Sequence, residues 1–95
     1  MTKTIEEIKE KVTPILKQEG VLRSALFGSI VRGEDTQESD VDILIQPPEG
    51  MTLFGFIGLE HKLEDALHRK VDLVSYRAIH PVLKDQILSE QVPIL

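Results

Sequence analysis

The chain has 95 residues and a mass of 10.7 kDa, so we expect one domain over residues 1–95, because two separate cores would each fall below about 50 residues. With 41% apolar and 28% charged residues, it is typical of a globular protein and not of a disordered or fibrous one. Eleven basic residues against 16 acidic ones give a net charge of −5, which lacks the basic footprint of proteins that grip nucleic-acid phosphates. No direct nucleic-acid contact is therefore expected.

The sequence carries no sign of membrane insertion or of disulfide chemistry. No apolar run approaches the ~20 residues that cross a bilayer, and no apolar segment typical of a secretory signal follows the first residues. Cysteine is absent from the chain, which excludes disulfides, thiolate zinc sites and cysteine nucleophiles. We therefore expect a cytoplasmic protein that makes no membrane contact.

The first predicted element is an amphipathic helix. A capping box from Thr4 to Glu7 predicts its start, and Gly20 predicts its end. Pro14 lies inside it and is expected to kink the helix or split it, because proline cannot donate the backbone hydrogen bond.

Apolar periodicity and turn residues predict the remaining elements. In chain order they are a strand over 21–27, a polar turn over 28–39, a strand over 40–46, a helix over 53–69, a strand over 71–75 and a helix over 79–90. The order α-β-β-α-β-α predicts an α+β (α/β two-layer) fold, with helices packed on a small sheet. The apolar tail over 92–95 either completes the core, which we favour, or contacts a partner.

Asp40 and Asp42 are the sharpest chemical feature of the chain. Side chains repeat every two residues along a strand, so both carboxylates point to the same side, together with Leu44 and Gln46. Two carboxylates this close need a cation between them unless one is protonated. Mg²⁺ suits them because it accepts carboxylate oxygens, water and substrate phosphates. Asp72, the only acid of the third strand, completes the site if that strand lies beside the second. An isolated pair of this kind is more often a set of exposed polar positions.

The turn before the second strand adds a phosphate-binding signal. Gly28 and Ser29 directly follow a strand, where backbone N–H groups and a hydroxyl can cradle phosphate oxygens. Gly28 and Gly33 have the spacing of a P-loop, but Glu34 and Asp35 stand where Lys and Ser or Thr are required. A Walker A motif is therefore excluded.

In combination, these motifs resemble the nucleotidyltransferase superfamily related to DNA polymerase beta, and in particular its stand-alone minimal nucleotidyltransferase (MNT) domains. The matching residues are Gly28-Ser29, Arg32-Gly33, Ser39-Asp40-Val41-Asp42, and Asp72 within Lys70-Val71-Asp72-Leu73-Val74. The resemblance extends over nearly the whole chain, and it implies a mixed sheet.

The resemblance implies metal-dependent nucleotidyl transfer, with two Mg²⁺ ions and ATP as co-substrate. Asp40 and Asp42 would bridge both ions, and Asp72 would bind the ion that activates the acceptor hydroxyl. Asp72 is also a candidate to accept the hydroxyl proton.

The resemblance also implies a set of nucleotide-binding residues. Gly28 and Ser29 would hold the β- and γ-phosphates, and Arg32 would neutralise charge on the leaving pyrophosphate. Ser39 belongs to the same motif, and its main expected role is to shape the turn before the second strand.

The resemblance also implies what accepts the nucleotide, namely a tyrosine of a partner protein. MNT domains resemble antitoxins that form a hetero-oligomer with a HEPN-domain toxin and add AMP to a tyrosine of that partner. Such a group adds bulk and negative charge where RNA must bind. Two alternatives stay open: a non-catalytic antitoxin that masks its partner sterically, and nucleotidyl transfer to a small molecule, for which the chain has little room to build a pocket.

Overall fold

The structure is a computed structural model, and it describes residues 2–34, 36 and 38–95. Its elements are α1 (Thr2–Gln18), β1 (Arg23–Phe27), α2 (Ser29–Arg32), β2 (Val41–Gln46), α3 (Leu53–Leu67), β3 (Val71–Ser75), a 3-10 turn (Tyr76–Ala78), α4 (Pro81–Glu90) and β4 (Val92–Pro93). The predicted α+β class is confirmed, and each of the three predicted helices and three predicted strands is present. The strand predicted over 71–75 has the predicted bounds, and the ends of the other five elements are shifted.

Helix α1 differs from the prediction at its start and at its proline. It begins at Thr2, so Thr4 and Glu7 lie within the helix and do not form a capping box. It also continues through Pro14 without a break, because burial of its apolar stripe against the sheet and α3 outweighs the lost backbone hydrogen bond. Gly20 follows the helix with φ 80°, as expected of a residue that ends one.

Three short elements were missing from the predicted order. Helix α2 occupies part of the stretch predicted as a polar turn, a 3-10 turn precedes α4, and β4 adds an edge strand. They contain four, three and two residues, which is too short for apolar periodicity to reveal them.

The sheet is mixed, with the strand order β3-β2-β1-β4. Strand β1 pairs antiparallel with β2 and with β4, whereas β2 and β3 are parallel. The register pairs Phe27 with Asp42, and Asp42 with Asp72. The end of β1 and the starts of β2 and β3 therefore meet at one end of the sheet, which we call the acidic end.

Apolar residues cover both faces of the sheet. On one face, α1 and α3 enclose the larger cluster, formed by Ile8, Val12, Leu16, Val21, Leu26, Ile30, Val41, Ile43, Ile45, Leu59, Leu63, Leu67, Val71, Leu73 and Ile94. On the other face, Ala25, Phe27, Leu44 and Ile79 form a smaller cluster, against which α4 packs through Ile87. The side of β2 that carries Asp42 is thus partly covered, and the tail contributes to the core as expected. Among the described residues, no helix has the length and apolar character that crossing a membrane requires.

Two carboxylates of α3 protect the exposed edge of β3. The N–H of Val71 donates to Glu64 Oε2 at 3.0 Å, and the N–H of Leu73 donates to Glu60 Oε2 at 3.3 Å. An unpaired edge would otherwise offer these N–H groups to another chain. The two bonds also fix the strand that carries Asp72.

We expect Glu64→Ala to lower the free energy of unfolding by about 1 kcal/mol, because a partly buried N–H loses its acceptor. Glu64→Gln is the matched control, since its amide oxygen can still accept the bond, and it should lose less than half as much. Urea denaturation monitored by circular dichroism measures both variants. Equal losses in the two variants would contradict this account of the edge.

Candidate active site

The three predicted acids lie together at the acidic end of the sheet. Asp42 and Asp72 are register partners on parallel strands, so their side chains project from the same face of neighbouring strands. Asp40 precedes β2 by one residue and lies on the same side as Asp42. Asp42 is half-buried, whereas Asp40 and Asp72 are exposed. The sequence condition for a three-carboxylate cluster, that the third strand lies beside the second, is therefore met.

Burial and the neighbouring acids disfavour the negative charge of Asp42. Burial, followed by the charges of Asp72 and Asp40, raises the pKa of the Asp42 carboxyl from 3.8 to about 6, and Arg32 acts in the opposite direction. The carboxylate form of Asp42 is thus less stable than in water, and a bound cation would relieve the repulsion.

The donor chemistry fits a hard divalent cation. Within residues 2–34, 36 and 38–95, no group of three or more histidine and acidic side chains is arranged to hold a metal ion by itself. Mg²⁺ does not need such a group, because it commonly takes one or two carboxylates and completes its shell with water and substrate phosphates. Asp42 and Asp72 supply two carboxylates of this kind, with Asp40 beside them.

The backbone of Gly28 lies directly against Asp42. It follows Phe27, the register partner of Asp42, and its backbone has φ 78° and ψ −151°. A Cβ at this position would overlap Asp42 Oδ2. Glycine is therefore required both for the backbone conformation and for the close approach. Ser29, half-buried, begins α2 on the far side of this turn.

Arg32 and Gly28 share an acidic partner that the sequence did not reveal. Arg32 Nη1 donates to Glu90 Oε1 at 2.9 Å, and the N–H of Gly28 donates to the same oxygen at 3.3 Å. Arg32 Nε also donates to Glu34 Oε1 at 2.8 Å. Hydrogen bonds to Glu34 and then to Glu90 raise the pKa of the guanidinium. Glu90 lies 58 residues beyond Arg32, so no local pattern could have identified it.

Ser39 shapes the turn that leads to Asp40. Its hydroxyl accepts from the N–H of Thr36 at 2.9 Å. Arg69, a second residue that the sequence did not single out, donates through Nη2 to the carbonyls of Thr36 and Ser39 at 2.8 and 2.9 Å. It thereby anchors the segment before β2. Asp35, which the sequence analysis used to exclude a Walker A motif, lies outside the described residues.

The raised pKa of Asp42 predicts a specific dependence of stability on pH. Because the folded state holds this proton more tightly than the unfolded state, the stabilisation from Asp42 is fully present below pH 3.8 and is lost as the pH rises through about 6. Urea denaturation in EDTA, for the wild type and Asp42→Asn at pH 5 and pH 7.5, isolates this residue. Between pH 5 and pH 7.5, the free energy of unfolding of the variant should rise by about 1 kcal/mol relative to that of the wild type. This figure is reduced for solvent screening, because Asp42 is only half-buried. A difference that does not change with pH would contradict the prediction.

Comparison with known proteins agrees with this arrangement. Residues 10–95 match the family described as "Polymerase beta, Nucleotidyltransferase". A Methanocaldococcus jannaschii protein named "Putative protein adenylyltransferase" is 46% identical over 91 residues, which cover 96% of this chain and 98% of that protein. The "Protein adenylyltransferase MntA" of Thermococcus cleftensis is 40% identical over 93 residues, covering 94% of each chain.

Solved structures share the fold as well. One described as "Structure of putative minimal nucleotidyltransferase" superposes with a TM-score of 0.83 at 37% identity, covering 96% of this chain and 93% of that one. Another, described as "Crystal structure of the toxin-antitoxin with AMP-PNP", has a TM-score of 0.79 at 27% identity, covering 92% of this chain and 72% of that one. The resemblance drawn from the motifs is confirmed: this chain belongs to the polymerase beta nucleotidyltransferase family and is a nucleotidyltransferase.

Proposed function

We propose that the chain transfers AMP from ATP to a tyrosine hydroxyl of a partner HEPN-type toxin and thereby acts as its antitoxin. The observation that carries the transfer reaction is the shared register of Asp42 and Asp72, with the Gly28 backbone packed against Asp42. Two carboxylates that can bind a cation therefore lie beside a turn whose backbone can bind phosphate. Relatives named protein adenylyltransferases, and a structural neighbour described as a toxin–antitoxin complex, support a protein as the acceptor.

One group of residues in this proposal binds the nucleotide, and a second group binds the metal ions. Gly28 and Ser29 hold the β- and γ-phosphates, and Arg32 lies beside them to balance the charge of the departing pyrophosphate. Asp40, Asp42 and Asp72 would hold Mg²⁺, which would supply positive charge to stabilise the attacking and leaving oxygens of an in-line displacement.

The acceptor approaches from the side of β3. This strand is the edge of the sheet, and Asp72 on it is exposed. In the transfer step, the tyrosine oxygen forms a bond to the α-phosphorus as the bond to pyrophosphate breaks. In this proposal, Asp72 takes the hydroxyl proton on its carboxylate.

The openness of the acidic end favours a macromolecular acceptor over a small one. Among the described residues, two cavities of about 530 and 620 Å³ are lined by residues other than the three acids, although Arg32 and Gly33 line the smaller one. The larger one lies at the opposite end of the sheet, beside Leu22, Gln46 and Tyr76. Asp40 and Asp72 instead lie on exposed surface, which a tyrosine projecting from another protein can reach.

The test is the intact mass of the protein encoded beside this chain, after incubation with this chain, Mg²⁺ and each of the four NTPs. We expect the partner to gain one or more AMP units from ATP, and to gain none with EDTA or with the Asp40→Asn variant. Peptide mass spectrometry then locates the modified tyrosine.

Two other results would replace the proposal. A stable complex whose partner gains no mass with any NTP would indicate an antitoxin that masks its partner without catalysis. Turnover with a small hydroxyl compound, and none with the partner, would indicate a small-molecule nucleotidyltransferase.

A further inference from the structure

Glu90 bonds to two of the residues proposed to bind the nucleotide. Its Oε1 atom accepts from the N–H of Gly28 at 3.3 Å and from Arg32 Nη1 at 2.9 Å. A negatively charged oxygen that accepts from a backbone N–H and a guanidinium makes the contacts that a phosphate oxygen makes in such a turn. We call this pair of contacts the Glu90 clamp.

The backbone that carries Glu90 is held in place. Glu90 is the last residue of α4, and the next residue, Gln91, donates its N–H to the carbonyl of Ile87 at 3.0 Å. The side chain of Gln91 accepts from the Tyr76 hydroxyl at 2.9 Å, and Val92 then enters the sheet. Rotation of the Glu90 side chain is therefore sufficient to open the clamp, without movement of the helix.

The position of Glu90 on the helix also makes the clamp easy to open. A carboxylate in the last turn faces the negative end of the helix dipole, which is unfavourable for an acid. Its side chain is 19% exposed, and the Arg32 side chain is 40% exposed, so water can solvate both groups once they separate. Ion pairs at such partly exposed positions are weak.

We propose that Glu90 is a built-in anion that occupies the phosphate-binding groups of Gly28 and Arg32 until the β- and γ-phosphates of ATP displace it. This inference rests on the proposed function, in which these two residues hold those phosphates. A triphosphate carries several charged oxygens and can replace both contacts. AMP lacks the β- and γ-phosphates and leaves the clamp closed. Glu90 thus weakens binding of ATP and sharpens the preference for polyphosphates over smaller anions.

The test is the Kd of ATP in the presence of Mg²⁺, measured by isothermal titration calorimetry on the full chain and on Glu90→Gln. We expect the variant to bind ATP about three- to tenfold more tightly, the size that one weak ion pair and one hydrogen bond allow. Its Kd for AMP should stay unchanged. Asp85→Asn removes the same charge from an exposed position on the same helix, and it should leave the Kd for ATP within twofold of the wild type.

Arg32 provides the second arm of the experiment. In an Arg32→Ala background, Glu90→Gln should no longer tighten ATP binding by more than about twofold, because one of the two contested groups is gone. Glu90→Ala repeats the measurement with a different side chain and the same expected direction. Circular dichroism melting shows that each variant is folded.

The remaining outcomes separate this inference from the proposed function. If the wild type binds ATP and Glu90→Gln binds it equally or more weakly, Glu90 does not compete with phosphate, and the inference falls while the proposed function stands. Equal gains in Glu90→Gln and Asp85→Asn would also overturn it, since net charge alone would then explain them. If neither the wild type nor Glu90→Gln binds ATP, the inference and the proposed function fall together.

Discussion

Replacing Asp42 with Asn is expected to lower the rate of AMP transfer by more than about a hundredfold, because loss of even an outer-shell partner of a metal ligand costs 10–100-fold. Asp42 is the half-buried member of the acidic cluster, it faces Asp72 across parallel strands, and it lies against the Gly28 turn. The variant would lack the charged side chain that we propose as a ligand for Mg²⁺ between the Gly28 turn and Asp72.

The same variant should be more stable than the wild type at pH 7.5, by about 1 kcal/mol in EDTA, because the neutral amide buries no charge and does not repel Asp72 and Asp40. Opposite signs for activity and stability separate a functional residue from a structural one. Transfer assays and urea denaturation on the same preparation measure both. Asp65→Asn, an exposed acid on α3, is the control and should change neither. If Asp42→Asn kept a tenth or more of the wild-type transfer rate, the reaction would not take place at Asp42.

Replacing Gly28 with Ala is expected to lower the free energy of unfolding by about 3 kcal/mol and to abolish transfer. Its backbone lies in a region open only to glycine, at a cost of order 1–3 kcal/mol for other residues. The added Cβ also overlaps Asp42 Oδ2, so the carboxylate must move away from its position at the acidic end.

Gly33 offers a matched control for that experiment. It too has a positive φ, 72°, but a Cβ there would meet nothing within 4 Å. Gly33→Ala should therefore cost only the backbone conformation, about 1–2 kcal/mol, and should keep most of the activity. In the double variant Gly28→Ala with Asp42→Ala, the overlap with the carboxylate disappears and only a tight contact of 3.3 Å with the Cβ of residue 42 remains. Stability should therefore recover by at least about 1 kcal/mol relative to the sum of the single changes. Additive losses would show that Gly28 and Asp42 do not contact each other.

Much of the fold followed from periodicity and from the family motif. The alternation over 40–46 placed Asp40 and Asp42 on one side of a strand, because that period is a property of the extended backbone alone. The mixed sheet was expected from the resemblance, and the register of β2 with β3 agrees with it. Of the two expected effects of Pro14, a split of α1 is not observed, because Pro14 acts locally whereas the burial that holds the helix is spread over the sheet and α3.

What the sequence by itself determined is the chemistry of the site: two carboxylates on one side of a strand, a Gly-Ser turn before it and a third acid in the next strand. What only the tertiary structure decided is how those groups act on one another. The pKa of Asp42, the approach of Gly28 and the Glu90 clamp all depend on contacts between segments far apart in the chain. Electrostatic and steric effects depend on distance in space, and the separation of residues along a sequence does not specify that distance.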